Sequence, residues 1–285
     1  MTNMPMHFAA PPRGVPLSLR VLNFFNGAAQ LGWFVFGFGM IFFWIFGMNA
    51  DFSFATFHVD GQTRGRVLSV KSTGASENKR TVEANHYEYS VAGRTFQGTS
   101  YSTGASAAEG EEVTIEYDEG SPERSRIVGM RRAMFGPAAA IVVIFPAIGF
   151  LILYFSTRSG VKRNHLLRDG ILTTGVLIRR EPTNVTVNKR RVWECTFEFT
   201  DRNGQRREAS ARGTDTTRLE DEPREALLYD PADPDKAYVL DEAPARPKLE
   251  NGELVGRGIG AAAALIIPGL VIAFNAFMFY LKFIK

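Results

Sequence analysis

Residues 134–155 read MFGPAAAIVVIFPAIGFLILYF, an uncharged run with a polar segment of similar pattern on either side. About twenty apolar residues at 1.5 Å rise cross a hydrocarbon core of roughly 30 Å. Arg131 and Arg132 before the run, and Arg158, Lys162 and Arg163 after it, suit headgroup zones. A membrane span over 134–156 is the simplest reading, and the rest of the chain is built about it. The overall composition hides this design. Of 285 residues 45% are hydrophobic and the mean hydropathy is -0.09, values ordinary for a soluble protein, because the apolar residues are pooled into three blocks.

The block before it, 21–48, carries no formal charge and crowds Phe and Trp between Trp33 and Phe46. It is longer than the apolar core of a signal peptide, about 7–15 residues, and Met48 precedes Asn49 and Ala50 where small residues would be needed for cleavage. An uncleaved anchor is the expectation, with Asn23, Asn26 and Gln30 in the headgroup zone. Residues 1–20, with Pro5, Pro11, Pro12 and Pro16, read as a flexible tail. The block after it, 259–283, is also of spanning length and is interrupted by Pro268 and Asn275. Gly256, Gly260 and Ala264, four apart, form a small-residue stripe for close helix approach, and Asn275 is a further candidate for helix packing. The interiors of the blocks lack Asp, Glu, Lys, Arg and His, Lys282 and Lys285 marking the end of the third, so a proton or ion route has little to work with.

Between the blocks lie two polar segments that repeat. The first reads Asp60-Gly61, Val67-Leu68, Asn78-Lys79-Arg80, Tyr87-x-Tyr89, Gly93, Tyr117-Asp118 and Pro122. The second reads Asp169-Gly170, Val176-Leu177, Asn188-Lys189-Arg190, Phe197-x-Phe199, Gly204, Tyr229-Asp230 and Pro234, at an offset that drifts only from 109 to 112. Inside each copy the period is two: Tyr87, Tyr89 and Val91 alternate with His86, Glu88 and Ser90, and Trp193, Cys195, Phe197 and Phe199 alternate with Glu194, Thr196, Glu198 and Thr200. About five strands per copy are expected, near 63–71, 80–91, 94–101, 111–117 and 124–128 in the first. So few strands limit their free edges best by curling into a barrel-like sheet. The predicted fold is a membrane protein of α+β class, with three transmembrane helices (21–48, 134–156, 259–283) alternating with two small antiparallel β-barrel-like domains (60–130 and 169–241).

This pattern of a span, a first strand, a Tyr-x-Tyr strand, a Gly turn and a Tyr-Asp strand end before Pro resembles an uncharacterised family of bacterial membrane proteins, domain of unknown function 3592, here in two tandem copies. The second copy departs from it by Phe197 and Phe199 in place of tyrosines and by the acidic Leu219-Glu220-Asp221-Glu222 stretch. The resemblance implies a bacterial envelope protein and carries no catalytic residue across.

The candidate chemistry is sparse. Tyr117 and Asp118, and Tyr229 and Asp230, are possible interaction positions at strand ends, although Asp before Gly or Pro is ordinary turn chemistry. His7, His58, His86 and His165 have no zinc-like spacing, and the small-residue run 102–110 holds no Walker or dinucleotide fingerprint. No metal and no cofactor is expected. Cys195, the sole cysteine, excludes disulfides within the chain, and its phase with Trp193 and Phe197 predicts a buried thiol. Asn78-Lys79-Arg80 and Asn188-Lys189-Arg190-Arg191 suit a turn into a strand as well as anionic lipid. A net charge of +3, with basic residues at the ends of the apolar blocks, points to the bilayer and not to nucleic acid. Counting basic residues beside the spans favours a cytoplasmic N-terminus by one, which puts the two domains on opposite faces; Pro137 and Pro146 permit a re-entrant central segment instead. The expected role is a non-enzymatic interaction or assembly module of the bacterial inner (plasma) membrane, multi-pass, with itself or another membrane protein as partner. A transmembrane sensor, or an accessory subunit of a transporter or envelope enzyme, is the alternative.

Overall fold

The computed structural model describes residues 9–25, 27–104, 106–242, 247–250, 252–256 and 258–284. It forms two compact units, Gly37–Ala147 and Met1–Phe36 with Ile148–Lys285.

In the first unit, β1 (Gly61–Glu77), β2 (Arg80–Val91), β3 (Arg94–Thr103), β4 (Glu112–Asp118) and β5 (Ser121–Ile127) form one antiparallel sheet in the order β3-β2-β1-β4-β5. Asn78 and Lys79, at φ 51° and 64°, turn β1 into β2, the pair of left-handed residues a two-residue hairpin requires. Central β1 pairs on both sides at Gly65, opposite Tyr89 and Val113. An added Cβ there would meet Glu88 O and Ile115 Cγ1 at 2.7 Å, so glycine lets the strand coil tightly over the core. That core is Val67, Tyr87, Tyr89, Ile115 and Ile127.

In the second unit, β6 (Ile171–Val187), β7 (Arg190–Thr200), β8 (Arg206–Gly213), β9 (Glu225–Tyr229) and β10 (Ala237–Val239) take the order β10-β9-β6-β7-β8, the same connectivity. The shared details go further. Asn188 and Lys189 repeat the left-handed turn, at φ 50° and 63°. Thr73 Oγ1 donates to Val82 O at 2.7 Å, and Thr183 Oγ1 to Val192 O at 2.8 Å. The register also corrects the sequence alignment by one residue. Val67 faces Tyr87 and Leu177 faces Phe197, so Val67 matches Leu177 and not Val176. Matching the Val-Leu pair by identity put Val176, which is exposed, on the core face; a one-residue slip flips the pleat.

Neither sheet closes, so the barrel expectation gives way to two curled, open five-stranded sheets. In the first, the edges meet at points only: Ile127 N–H donates to Ser100 Oγ at 2.9 Å, and Tyr101 and Arg131 form an isolated bridge. In the second, β10 is only three residues long, too short for a closing ladder.

Three helices among the described residues are long and apolar enough to cross a membrane, Ala28–Asn49, Pro137–Asp169 and Gly258–Phe283, with mean hydropathy 1.9, 2.6 and 2.2. The block read as one span over 21–48 is broken: α1 (Leu17–Phe25) is separated from α2 (Ala28–Ile45) by left-handed Gly27 at φ 59°. A four-residue helix, α3 (Ser53–Thr56), follows. The central segment starts as a 3-10 turn, Pro137–Val143, and continues as α4 (Ile144–Asp169), one helical run of 33 residues in place of two re-entrant halves. The third block divides at Leu265 into α5 (Gly258–Ala264) and α6 (Ile266–Phe283), three residues before Pro268. Before it lies a small ribbon of β11 (Lys248–Glu250) and β12 (Glu253–Val255).

Residues 9–20 are not a loose tail; residues 1–8 lie outside the described part. Arg13, 7% exposed, donates its backbone N–H to Arg168 O at 2.8 Å and Nη1 to Leu167 O at 3.0 Å, and Nη2 reaches Gly170 O. These are the carbonyls that the end of α4 leaves unpaired, and a cation there also complements the helix dipole. Val15, Leu19 and Leu22 then pack with Leu166, Leu167, Leu228, Tyr238, Leu254 and Ala261 in a core shared by α1, α4, α5 and the second sheet.

Candidate functional site

The predicted strand-end residues behave differently in the two copies. Tyr117 is half-buried, its ring stacked 6.3 Å from Tyr89 and lying against Gly61. Asp118 Oδ1 accepts Gly120 N–H at 2.9 Å, and Oδ2 lies 3.8 Å from Arg124. Tyr229 is 1% exposed and its hydroxyl accepts Arg202 N–H at 2.9 Å. Asp230 Oδ1 accepts Ala232 N–H at 2.9 Å, and Oδ2 lies 3.2 Å from His165 Nε2, whose Nδ1 is 3.0 Å from Asp169. The Ala232 N–H first, and His165 with it, hold the Asp230 carboxyl below its usual range. Thus the structure brings Asp230 and His165 together and ties the end of α4 to the end of β9.

Of the small-residue stripe, Gly256 lies against Ser18 of α1, Ala264 O accepts Gln30 Nε2 at 2.7 Å, and Gly260 is half-buried in α5. Asn275 Nδ2 donates to Val271 O of its own helix at 2.8 Å. Close helix approach also occurs outside the stripe: added Cβ atoms at Gly149 would strike the Phe36 backbone, and at Gly160 would lie 2.7 Å from Phe24. Asn23 Nδ2 donates to Asn164 Oδ1 at 2.7 Å; Asn26 and His7 lie outside the described residues. Cys195 is fully buried, which pushes its thiol up.

Three groupings escaped the sequence reading. The first is a clamp where the first domain leaves and rejoins its helices. Asp51 N–H donates to Phe135 O at 2.8 Å, and Phe135 N–H to Asn49 O at 2.9 Å. Asp51 Oδ1 accepts Ser53 N–H at 2.7 Å and Oδ2 accepts Arg132 N–H at 2.9 Å. Burial pushes the Asp51 carboxyl up, but the Ser53 and Arg132 hydrogen bonds and the Arg126 charge outweigh it and bring it below its usual range.

The second is a cleft of about 850 Å³ beside the β1–β2 turn, with Glu77, Arg80, Tyr101, Ser102, Thr103 and Arg131 in its lining. Arg131 Nη1 meets Glu77 Oε2 at 2.6 Å, and Nη2 donates to Thr103 Oγ1 at 2.7 Å. Behind Ser102 runs a buried polar row: Asn85 Nδ2 donates to Ser102 Oγ at 3.1 Å, and Tyr87 and Ser125 hydroxyls meet at 2.9 Å. Asn85 Oδ1 has no hydrogen-bond partner among the described residues. By register, Asn85, Tyr87, Ser100 and Ser125 correspond to Cys195, Phe197, Ala211 and Ala237, so the second copy lines the same row with apolar groups.

The third is Glu225, 2% exposed at the start of β9, with one of its carboxylate oxygens and one each of Asp221 and Asp241 all within 4.8 Å of one another. Burial first, then the charges of Asp241, Asp221 and Glu222, raise its carboxyl to about 7. The alternation of Glu225, Leu227 and Tyr229 was the sequence signal for its inward phase.

No curated protein and no solved structure matches the chain. Residues 54–131, the stretch that holds the first sheet, match the family model described as Domain of unknown function (DUF3592).

Proposed function

We propose that this chain is a non-enzymatic, multi-pass protein of the bacterial inner membrane, with its N-terminus in the cytoplasm, whose two related β domains serve assembly with another membrane protein or with a second copy. The observation that carries the reading is the outer half of the β6–β7 hairpin. There Ile178, Val185 and Val187 are 48%, 55% and 49% exposed on a strand of 17 residues, beside Lys189, Arg190 and Arg191. Exposed apolar side chains on a long, uncovered hairpin, interleaved with Arg179, Arg180 and Glu181, suit a surface that another polypeptide covers. In the first copy the position equivalent to Val187 is Glu77, which is engaged by Arg131.

The test is extraction of the full chain in mild detergent, followed by mass measurement of what co-purifies with wild type and with Val187→Glu. A stoichiometric partner or a self-complex that the substitution releases supports the assembly reading. A chain that stays monomeric and partnerless in native membranes, with crosslinker present, overturns it.

A further inference from the structure

We infer that the cleft of the first domain is a binding site for a phosphate ester, and that the headgroup of an anionic phospholipid is its natural source. The inference rests on the membrane placement proposed above. The cleft's charged lining is Arg80, Arg131 and Glu77, two positive charges against one negative, so one positive charge is left over. Glu77 is engaged with Arg131 at 2.6 Å, which also fixes that guanidinium on Thr103. Arg80 therefore supplies the charge available to a ligand, with Tyr101 in the same lining as a short-range hydroxyl donor, while the Ser102 hydroxyl turns inward to Asn85.

Two further observations point the same way. Glu77 and Arg131 also lie beside Gly136, the residue before Pro137, where the second candidate span starts: a Cβ added there would come within 3.5 Å of Glu77 Oε1 and 3.2 Å of Arg131 Nη1. That contact sets the cleft at the level where an apolar helix begins, which is where headgroup phosphates lie. The second copy provides the internal comparison. Just after β10 its chain carries Asp241 and Glu242, where the chain after β5 carries Gly129 and Met130 on the cleft wall, and Glu242 Oε1 accepts the N–H of Arg212, the counterpart of Tyr101. The second copy thus places its own carboxylates around this region, whereas the first leaves it open and lined by arginine.

The experiment uses the full chain in mild detergent, with native mass spectrometry read against added short-chain phosphatidylglycerol, short-chain phosphatidylcholine and glycerol phosphate. Wild type is expected to hold one phosphatidylglycerol in preference to phosphatidylcholine. Arg80→Ala should weaken that binding about tenfold or more, the worth of one charge-assisted hydrogen bond, and Arg80→Lys should retain most of it. Arg190→Ala, at the matching turn of the second copy, should leave binding unchanged. Glycerol phosphate binding as tightly as the lipid supports the site and identifies a free ester as its source. Equal binding of phosphatidylcholine, no loss in Arg80→Ala, or the same loss in Arg190→Ala overturns the site. Alkaline carbonate extraction separates the two ideas: release of the chain from membranes defeats the membrane placement, whereas a retained chain without Arg80-dependent binding defeats the cleft alone.

Discussion

Replacing Glu225 by Gln tests the second domain's energetics at one atom pair. Glu225 is buried in β9 beside Asp221 and Asp241, and its carboxyl is raised from 4.5 to about 7. Below pH 4.5 folded and unfolded chains both carry the proton, so nothing is lost. Between the two values only the unfolded chain ionises, unfolding releases a proton, and stability falls as pH rises; above 7 the loss is complete. Its full size is about 3 kcal/mol, from 1.4 kcal/mol per tenfold over the interval between the two values. Gln keeps the oxygen that accepts Glu222 N–H and never ionises, so it removes this loss. Cys195, the sole cysteine and fully buried in the same core as Leu227, reports opening of the domain through its rate of alkylation. Taking the ratio of wild type to Glu225→Gln at each pH cancels the thiol's own titration. That ratio should grow about tenfold between pH 6 and pH 8.5, and pass a hundred at the upper end. A ratio that stays flat across this window would refute the reasoning, since it would mean that Glu225 carries no displaced proton.

Other substitutions probe the remaining joints. Gly149→Leu should cost about 1–3 kcal/mol or more through overlap with the Phe36 backbone, whereas Gly269→Ala, with open space around it, should leave thermal unfolding in detergent unchanged. Asp51→Asn should cost about 1–3 kcal/mol in the first domain by weakening the Ser53 and Arg132 hydrogen bonds. Because the Asp51 carboxyl lies below its usual range, wild type should lose the same contribution as pH falls through and below 3.8, and the variant should not. Tyr87→Phe should cost about 1–2 kcal/mol by removing the buried Tyr87–Ser125 hydrogen bond, and Phe197→Tyr should cost at least as much, because its hydroxyl would face Ala237. In a Cys195→Ala background, a cysteine at Ser76 should react with a membrane-impermeant thiol reagent in intact cells and one at Asp215 should not; labelling at Asp215 defeats the proposed cytoplasmic N-terminus.

The strands were legible because their signal is local. Tyr87-x-Tyr89 and Cys195-x-Phe197-x-Phe199 alternate over enough residues to fix both strand and face, and the Asn-Lys turns delimit the hairpins. What escaped depends on partners distant in sequence. The proline-rich start looked like a tail because the carbonyls that Arg13 caps lie more than 150 residues away. The break at Gly27 was lost inside an apolar block whose average hydropathy does not register one left-handed residue. Closure of the sheets turned on the length of their edge strands, and three-residue β10 has no periodicity to read. The cleft was invisible because Arg80, Tyr101 and Arg131 come from three separate stretches, joined only once β1 and β2 fold back to Gly136.

The two copies share strand order, turns and threonine hooks, yet differ where a functional difference would show. In the second, the row Cys195, Phe197, Ala211 and Ala237 offers only apolar area, so burial holds it and its polar investment lies at the rim, in Asp201, Asp230 and the Glu225 cluster. In the first, Tyr87, Asn85, Ser100, Ser102 and Ser125 carry hydrogen bonds through the same positions. A polar interior stabilises less per residue than an apolar one unless every group is paired, and among the described residues Asn85 Oδ1 has no partner. The costlier interior lies in the copy whose cleft is open and the apolar interior in the copy whose hairpin is exposed, the division of labour expected if the two proposals above both hold, with a small polar group held by the first domain and another chain met by the second.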